Sequence, residues 1–477
     1  MNASRDHDPS SNGFAARLDA AMRERPNAGT RVGFAKAPGV FDVMGGIGED
    51  AGSLVLTATT ALSHHTAVWP IARDRIHLTL HADCRNNEPL EHEIPASAFL
   101  NADVEKIKAL CADAEWAAPT LLAIHRMIAD EIAPPPSAGL AIFIEHDFSA
   151  NADLGRMPSQ AASAAVAYRD LNAMEIDPLR LAQAAASVVS DLLNLHELRK
   201  TMTAIVAPAR RSLLQMTFHP NATWDLLELP QGIVFKAVAT RLSRPTTTKR
   251  LIETRVCSEM GHRVIQYLQK LDGQPIDGRP TRLASITPSE FVEKFRDRMP
   301  SKITQQQFMT KFGEVRGLTE TGAGPKDYFK IRSRAEHHIY ENRRVHDFST
   351  NIVRARRSTS PEALIAAGDL MYASHWSHSQ RCGIGGVETD RLVNAVRELG
   401  HDAGLFGAKV TAGGQGGEMV VLMRDDPAAD AALADAVAKA AQASGQAVAV
   451  FEAMRIETPR SQPASDAHRS PAAVSPT

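Results

Sequence analysis

Two glycine-rich segments, far apart in the chain, restrict the possible fold more than any other feature. The downstream segment, GAKVTAGGQGGEMVVL at Gly407 to Leu422, runs from a dense glycine turn into an apolar strand. Glycine takes positive φ without a steric clash, so this backbone can turn tightly and bring its N–H groups close to another surface. The upstream segment, APGVFDVMGGIGEDAGSLVL at Ala37 to Leu56, interrupts two apolar runs in the same way.

A third segment lies between these two. GRMPSQAASAAVA at Gly155 to Ala167 predicts a helix of small residues that is entered through proline and serine. A single glycine turn usually does no more than join two strands. The prediction of one cleft therefore depends on all three segments, which we expect to meet around it. A strand, a loop and a helix in that order also present helix N–H groups to an anion.

Size and composition restrict the class of protein. A chain of 477 residues exceeds what one hydrophobic core usually holds, which predicts two or more domains or lobes. The net charge of −2 gives no electrostatic reason to expect nucleic acid or an anionic membrane as partner. No segment resembles a signal peptide or reaches the roughly 20 apolar residues of a membrane span, so we expect a cytoplasmic protein. The cysteines form no CxxC pair and are interpreted as reduced thiols; they are Cys84, Cys111, Cys257 and Cys382.

The apolar periodicity predicts an α+β protein. The predicted strands are Arg31–Ala37, Ser53–Leu62, His64–Ile71, Arg75–His81, Leu140–Glu145, Ser212–Phe218, Trp224–Leu229, Gly232–Ala239 and Ala447–Glu452. The longer predicted helices are Phe14–Arg23, Pro119–Ile132, Leu179–Asn194, Lys249–Leu271, Arg334–Ser358, Pro361–Trp376, Thr389–Leu399 and Asp430–Ser444, with one more starting near Pro158. We expect two lobes that meet near Met216 to Leu229.

Composition also divides the chain. The polar ends, residues 1–12 and 457–477, are predicted to be disordered. The first lobe is predicted to span residues 13–222 and the second to span residues 223–456. No internal repeat is found in the sequence.

Together the three segments resemble the signature motifs of the GHMP superfamily of small-molecule kinases. Within it they resemble the sugar 1-kinases, L-arabinokinase first and galactokinase after it. HHIYENRRV at His337 to Val345 and GDLMYASHWSHSQRCGIGGVETDRLV at Gly368 to Val393 are similar to family segments of the C-terminal lobe. The resemblance runs from about Arg31 to Phe451. It implies a two-lobed fold, with an N-terminal lobe like domain 2 of ribosomal protein S5 and a ferredoxin-like C-terminal lobe.

The resemblance further implies that the cleft binds ATP with Mg²⁺ and a monosaccharide or sugar derivative as phosphate acceptor. The implied nucleotide-binding residues are Gly155, Ser159, Gln160, Ala161, Gly413, Gly414, Gly416 and Gly417. In the second motif the family's glycine and first serine are kept, whereas Gln160 and Ala161 replace two serines and Met157 replaces a glycine.

The positions that correspond to the family's metal-binding glutamate and catalytic aspartate are changed. The glutamate position is Thr201, and Glu197, one helical turn earlier, is a candidate metal ligand together with Gln160. The catalytic aspartate position is Leu214, within APARRSLLQM at Ala207 to Met216. A leucine side chain cannot accept a proton.

The first motif also departs from the family pattern. Val40 replaces an arginine, and Leu251, much further along the chain, replaces a tyrosine of the family's sugar pocket. The implied substrate-binding residues are Asp42, Gly45, Gly46, Glu49 and Asp50. Three of them, Asp42, Glu49 and Asp50, are the candidate replacement bases.

Two functions are consistent with these departures. A positioned base is typically worth about 10²–10⁴ in rate, and a lost metal ligand removes further charge neutralisation. The first hypothesis is a sugar 1-kinase-like protein with weakened or lost phosphotransfer. The second is a non-catalytic pseudokinase that binds a sugar, a nucleotide or a protein partner.

Two further groups of residues are interpreted as structural. Three histidine pairs suggest a metal site, but acidic or cysteine partners at ligand spacing are not evident, so core or surface histidines are predicted. They are His64 with His65, His337 with His338, and His375 with His378. Arg210 and Arg211 are predicted to form a solvated turn, with phosphate binding as the alternative.

Overall fold

The computed structural model describes residues 14, 18, 30–81, 89–148, 154–208, 211–239, 245–273, 282–358, 361–411, 418–443 and 452–455. Its strands form two principal sheets, one from the first half of the chain and one from the second. Helices cover both sheets, so the predicted α+β architecture is confirmed. No helix within these ranges is both long and apolar enough to cross a bilayer.

The first sheet has seven strands. They are β1 Gly33–Met44, β2 Val55–Ile71, β3 Ile76–Leu80, β4 Leu90–Ile94, β5 Gly139–His146, β6 Ser212–Thr217 and β7 Thr223–Glu228. Their order is β4-β3-β5-β2-β6-β7, with β1 paired to β2. β3 and β5 pair in parallel, whereas the other described pairs of this sheet are antiparallel.

The prediction of two separate strands before and after Ser63 is wrong. β2 continues through this position because Ser63 and His64 are buried and pair with Pro38 and Ala37 of β1. The pairing shifts register next to Ser63, where two steps along β1, from Pro38 to Val40, correspond to four steps along β2, from Ser63 to Thr59. The extra residues form a bulge in β2 but do not end the strand.

Within the described ranges from residue 30 onward, six helices belong to the first half. They are α1 Ala96–Leu100, α2 Val104–Leu110, α3 Ala118–Ala129, α4 Arg156–Leu171, α5 Pro178–Leu193 and α6 Leu198–Val206. α4 packs on β1 and β2 through buried alanines, whose small side chains allow a close approach. The core of this half includes Phe99, Leu121, Ile142 and Tyr168.

The second half contains a four-stranded antiparallel sheet and one small ribbon. The strands are β8 Ile233–Ala239, β9 Ile303–Thr304, β10 Tyr328–Phe329, β11 Leu405–Val410, β12 Met419–Arg424 and β13 Glu452–Arg455. The larger sheet has the order β11-β12-β8-β13, and β9 pairs with β10. The helices are α7 Pro245–Leu271, α8 Pro288–Glu290, α9 Gln305–Phe312, α10 Ile331–Arg357, α11 Glu362–Ser377, α12 Val387–Leu399 and α13 Pro427–Ala443. Two π-helical turns, Phe291–Phe295 and His378–Cys382, continue α8 and α11.

One glycine contact holds α11 against its sheet. A Cβ atom added to Gly368 would lie 1.8 Å from the carbonyl oxygen of Phe406 in β11. Only glycine allows the backbones of the helix and the strand to come this close. The contact positions the C-terminal end of α11 near the first half of the chain.

An apolar cluster joins the two halves. Phe41 and Leu56 from the first sheet pack with Phe235 and Leu422 from the second sheet and with Phe348 of α10. The predicted lobe boundary after residue 222 remains a prediction. The turn at that position joins β6 to β7, which pair within the first sheet.

Candidate active site

The three glycine- and serine-containing segments meet at Leu154, immediately before α4. The backbone N–H of Val40, from the first segment, donates to the carbonyl oxygen of Leu154 at 2.8 Å. The N–H of Leu154 donates to Oε1 of Glu418 at 2.9 Å. Glu418 directly follows the glycines of the downstream segment, Gly407 to Leu422. Gly155 has φ of 72°, and a Cβ atom there would lie 2.7 Å from the oxygen of Val40. The close approach of β1 to α4 therefore requires glycine.

A tight turn after β1 places the acidic residues of the first segment. Gly45 and Gly46 have φ of 85° and 28°, and a short 3₁₀ turn, Gly46–Gly48, follows. A Cβ atom on Gly45 would lie 2.5 Å from the carbonyl oxygen of Leu54. The turn brings Glu49 and Asp50 towards the N-terminal end of α6.

Arg199 of α6 holds the carboxylates in a buried group that we name the Arg199 cluster: Asp42, Glu49, Glu197, Arg199 and Lys200. The Nε and Nη2 atoms of Arg199 donate to both oxygens of Asp42 at 2.6 and 2.9 Å. The Nη1 atom of Arg199 donates to Oε2 of Glu49 at 2.9 Å. Oε2 of Glu197 lies 3.4 Å from Nη2 of Arg199 and 3.2 Å from Nζ of Lys200. The side chains of Asp42 and Arg199 are 0% and 3% exposed.

Three carboxylates share the Arg199 cluster with two cations, and the buried Lys409 adds its charge beside Asp42. Burial raises the pKa of Glu49 to about 7, against the opposing effect of Arg199. Burial also raises the pKa of Glu197. Burial alone would raise the pKa of Asp42 as well, but Arg199 and Lys200 lower it below its ordinary value. With a pKa of about 7, Glu49 can therefore gain or lose a proton near neutral pH.

A small cavity opens beside this cluster. Its lining joins the acidic turn, the segment before α6 and one face of α7; the residues are Ile47, Glu49, Asp50, Asn194, Leu195, His196, Glu197, Arg199, Leu251, Ile252 and Arg255. Its volume is about 40 Å³, room for a few water molecules. A larger ligand therefore requires the lining side chains to move outward.

Asp50 and Leu251 meet in this cavity, although about two hundred residues separate them in sequence. Nδ1 of His196 lies 2.8 Å from Oδ1 of Asp50. Burial by itself raises the pKa of Asp50, but the hydrogen bond and charge of His196 lower it below the ordinary value. Asp50 is therefore ionised and paired, whereas Glu49 provides the exchangeable proton.

Leu214, at the position of the family's aspartate, does not face this cavity. It is fully buried in β6 and belongs to an apolar cluster with Val55, Ala182, Met202 and Met216. A leucine side chain therefore suits this position, because it packs against apolar neighbours.

Two polar residues of the second motif, Ser159 and Gln160, form internal hydrogen bonds. Oγ of Ser159 donates to the carbonyl oxygen of Ala37 at 2.8 Å and lies 3.0 Å from Nδ1 of His64. Nε2 of Gln160 donates to the carbonyl oxygen of Trp116 at 2.8 Å and to Oγ1 of Thr120 at 3.1 Å. Ala161 is fully buried against the sheet.

Some predicted positions lie outside the described residues. Gly413, Gly414, Gly416 and Gly417 are among them, as is Arg210. Arg211 has positive φ, and its Nη2 donates to the carbonyl oxygen of Leu229 at 3.3 Å. Arg211 thus connects the start of β6 to the end of β7.

The expectation that no acidic residue stands near the histidine pairs is wrong. Glu341 lies close to His337 and His378, and a ligand atom from each of the three lies within 4.8 Å of the others. His337 and Glu341 are four residues apart on α10, so the spacing was present in the sequence. His378 reaches them only because α10 and α11 pack together.

Arg199, His196 and Glu418 were not predicted as site residues. Their roles depend on contacts with residues far away in sequence. Nothing in the local sequence around Arg199 identifies it as the cation that pairs with Asp42. Only the packing of α6 on β1 brings the two together.

Replacing Glu49 by glutamine is expected to stabilise the protein at pH 8 by roughly 2–3 kcal/mol and to have little effect at pH 5. The folded protein holds the Glu49 proton more tightly than the unfolded chain, because the pKa is raised to about 7. The parent protein therefore loses stability as pH rises from about 4.5 to 7. The Glu49→Gln variant does not, because glutamine does not titrate. Urea unfolding at both pH values measures the difference.

Asp50→Asn is the matched control, for which we expect a loss of stability at pH 8 where Glu49→Gln gains it. The pKa of Asp50 is lowered in the folded protein, so its charge stabilises the fold above the unfolded pKa and asparagine removes that contribution. A Glu49→Gln protein that is less stable than the parent at pH 8 would contradict the assigned protonation.

Comparison with solved structures defines the class of fold. The structure of Lactococcus lactis galactokinase complexed with galactose aligns with a TM-score of 0.68, covering 94% of this chain and 98% of that chain at 16% identity. Methanococcus jannaschii mevalonate kinase aligns with a TM-score of 0.54, covering 90% and 99% at 13% identity. The protein has the two-lobed GHMP kinase fold, as the motifs predicted.

Sequence comparison narrows the likeness to sugar kinases. L-arabinokinase of Arabidopsis thaliana is 26% identical over 90% of this chain and 47% of the relative. Galactokinase of Mycobacterium tuberculosis is 35% identical over 130 residues, which cover 27% of this chain and 32% of the relative. The chain thus spans about half the length of the first relative and a third of the second. No family model matches the chain.

Proposed function

We propose that this chain is a sugar 1-kinase-like protein that binds a monosaccharide or sugar derivative beside the Arg199 cluster and has weakened or lost phosphotransfer. The proposal depends chiefly on one observation. Leu214 stands in an apolar cluster at the family's aspartate position, while the buried acids nearby are held by Arg199. The likeness to L-arabinokinase and galactokinase supports the sugar as ligand class.

Glu49 is the best placed of the three candidate bases. Asp42 is fully buried and bound through both oxygens to Arg199, and Asp50 is paired with His196. Glu49 lines the cavity and has a pKa of about 7. An acceptor hydroxyl could therefore pass its proton to Glu49 whenever this carboxyl is ionised.

Of the two residues proposed for Mg²⁺, Glu197 does not fit the ion, because it already pairs with Arg199 and Lys200. A carboxylate already neutralised by two cations is a poor ligand for a hard divalent ion. We therefore derive no step through Mg²⁺.

The non-catalytic alternative is favoured by one observation at the start of α4. A phosphate bound there would accept hydrogen bonds from backbone N–H groups. Glu418 already accepts the N–H of Leu154 and brings a negative charge to that position. An acidic side chain beside the start of α4 disfavours a phosphate there, so a sugar or a protein is the proposed partner in this alternative.

Ligand binding and turnover can be measured separately on the full chain. Purified protein is incubated with Mg-ATP and a panel of pentoses, hexoses and uronic acids, and ADP and sugar phosphate are quantified. We expect turnover below about 0.1 s⁻¹, at least 100-fold under the typical enzyme rate of about 10 s⁻¹. Any residual turnover is expected to disappear in Glu49→Gln.

Thermal shift with sugar alone and with nucleotide alone distinguishes the two functions. Stabilisation by a sugar supports the proposed ligand, and stabilisation by a nucleotide argues against the Glu418 block. Turnover at ordinary kinase rates would contradict the weakened phosphotransfer. No stabilisation by any sugar, with no product, would contradict the proposed ligand class.

A further inference from the structure

A second buried polar group lies between α10 and the π-helical turn that follows α11. His337, Glu341 and His378 are each 0% exposed. One potential ligand atom from each lies within 4.8 Å of the other two. The two imidazole rings are perpendicular, at 77°, with centroids 4.5 Å apart.

Each imidazole has one nitrogen fixed and one available. Nδ1 of His378 lies 2.9 Å from the carbonyl oxygen of Ser374, which can only accept, so this nitrogen carries the proton. Nδ1 of His337 lies 2.9 Å from Oγ of Ser377. In the part of the chain that the structure describes, neither Nε2 atom has a hydrogen-bond partner, although both are buried. Two such atoms would normally cost free energy unless something binds them.

We propose that His337, Glu341 and His378 bind a divalent transition metal of the zinc class. Two imidazoles and one carboxylate form a donor set that suits zinc, and each Nδ1 contact fixes its ring as outer-shell partners of metal ligands do. Tetrahedral zinc places its ligand atoms about 3.3 Å apart, from metal–nitrogen distances of about 2.05 Å. The group therefore has to contract by less than about 1.5 Å.

The surroundings select against a hard cation. Glu341 accepts from Ser374, and its other oxygen lies 2.9 Å from Nη1 of Arg344. The charge of Lys409 also acts on Glu341. With the carboxylate partly neutralised, the imidazoles provide most of the affinity, and Mg²⁺ and Ca²⁺ bind imidazole poorly. The bound ion would connect α10 to the end of α11.

Metal content and binding test this site directly, and both are independent of any kinase activity. Tag-free protein is stripped with a chelator and titrated with zinc or with cobalt(II), whose visible absorption reports tetrahedral nitrogen and oxygen ligands. We expect one metal per chain, a rise in melting temperature with zinc and none with magnesium. His337→Gln and His378→Gln should each weaken zinc binding at least about 10–100-fold.

His375→Gln is the matched control. His375 is equally buried near the end of α11, but its Nε2 lies 3.1 Å from Asp390 and its Nδ1 accepts from the N–H of Val410. This variant should lose stability yet retain one zinc with unchanged affinity. Failure of the parent protein to take up zinc or cobalt overturns the site. The site is equally overturned if His337→Gln and His378→Gln are both folded by circular dichroism and both bind zinc as fully as the parent protein.

Discussion

Replacing Arg199 by methionine is expected to destabilise the protein by about 3–5 kcal/mol, measured by urea unfolding at pH 7.5. Methionine has similar length but no charge, so Asp42, Glu49 and Glu197 would be left buried with Lys200 as the remaining cation of the cluster. Breaking a buried pair costs more than the pair contributes, because the surviving charges stay desolvated.

An exposed arginine provides the control. Arg343 pairs with Asp347 at 2.9 Å on the surface of α10, with its side chain 67% exposed. Arg343→Met should cost less than about 1 kcal/mol. Adding Asp42→Asn to Arg199→Met should recover part of the loss, since it removes one uncompensated carboxylate. If both methionine variants unfold at the same urea concentration, Arg199 does not neutralise the cluster.

Leu214→Asp is expected to destabilise the fold by several kcal/mol, on the order of 4, and to leave phosphotransfer unrestored. The substitution removes an apolar side chain from a closed cluster and buries a carboxylate with Val55, Ala182, Met202 and Met216 as neighbours. Such a carboxyl keeps its proton or unfolds the strand, so it cannot serve as a base at pH 7.

Leu214→Met is the conservative partner of this experiment. It keeps the volume and apolar character and should cost less than about 1.5 kcal/mol. Urea unfolding and ADP release are measured on both variants and on the parent. A stable Leu214→Asp protein with increased sugar phosphorylation would show that the position faces the acceptor, contrary to the packing of β6.

Residue spacing predicts only some of the contacts among His337, Glu341 and His378. His337 and Glu341 are one helical turn apart, so their shared face was predictable from the 3.6-residue period. His378 lies on a separate element and follows α11 in a π-helical turn. Its arrival beside the pair depends on the packing of two helices, which no local pattern specifies.

The sequence by itself determined the two-lobed fold and the glycine turn at Gly45 and Gly46, but not the continuation of β2 through Ser63. Three motifs, each with glycine or small residues, restrict the backbone locally, and apolar periodicity assigns each strand and helix a buried face. The resemblance also predicts that Leu214 and Val40 stand where the family has an aspartate and an arginine.

Only the tertiary structure decided which charges meet. Asp42 and Arg199 are 157 positions apart in sequence and meet because α6 packs on β1. Their pKa values and the proton held by Glu49 follow from burial and from charges on other elements. Backbone conformation is a local property of a few residues, whereas electrostatic pairing depends on distances that long-range packing sets.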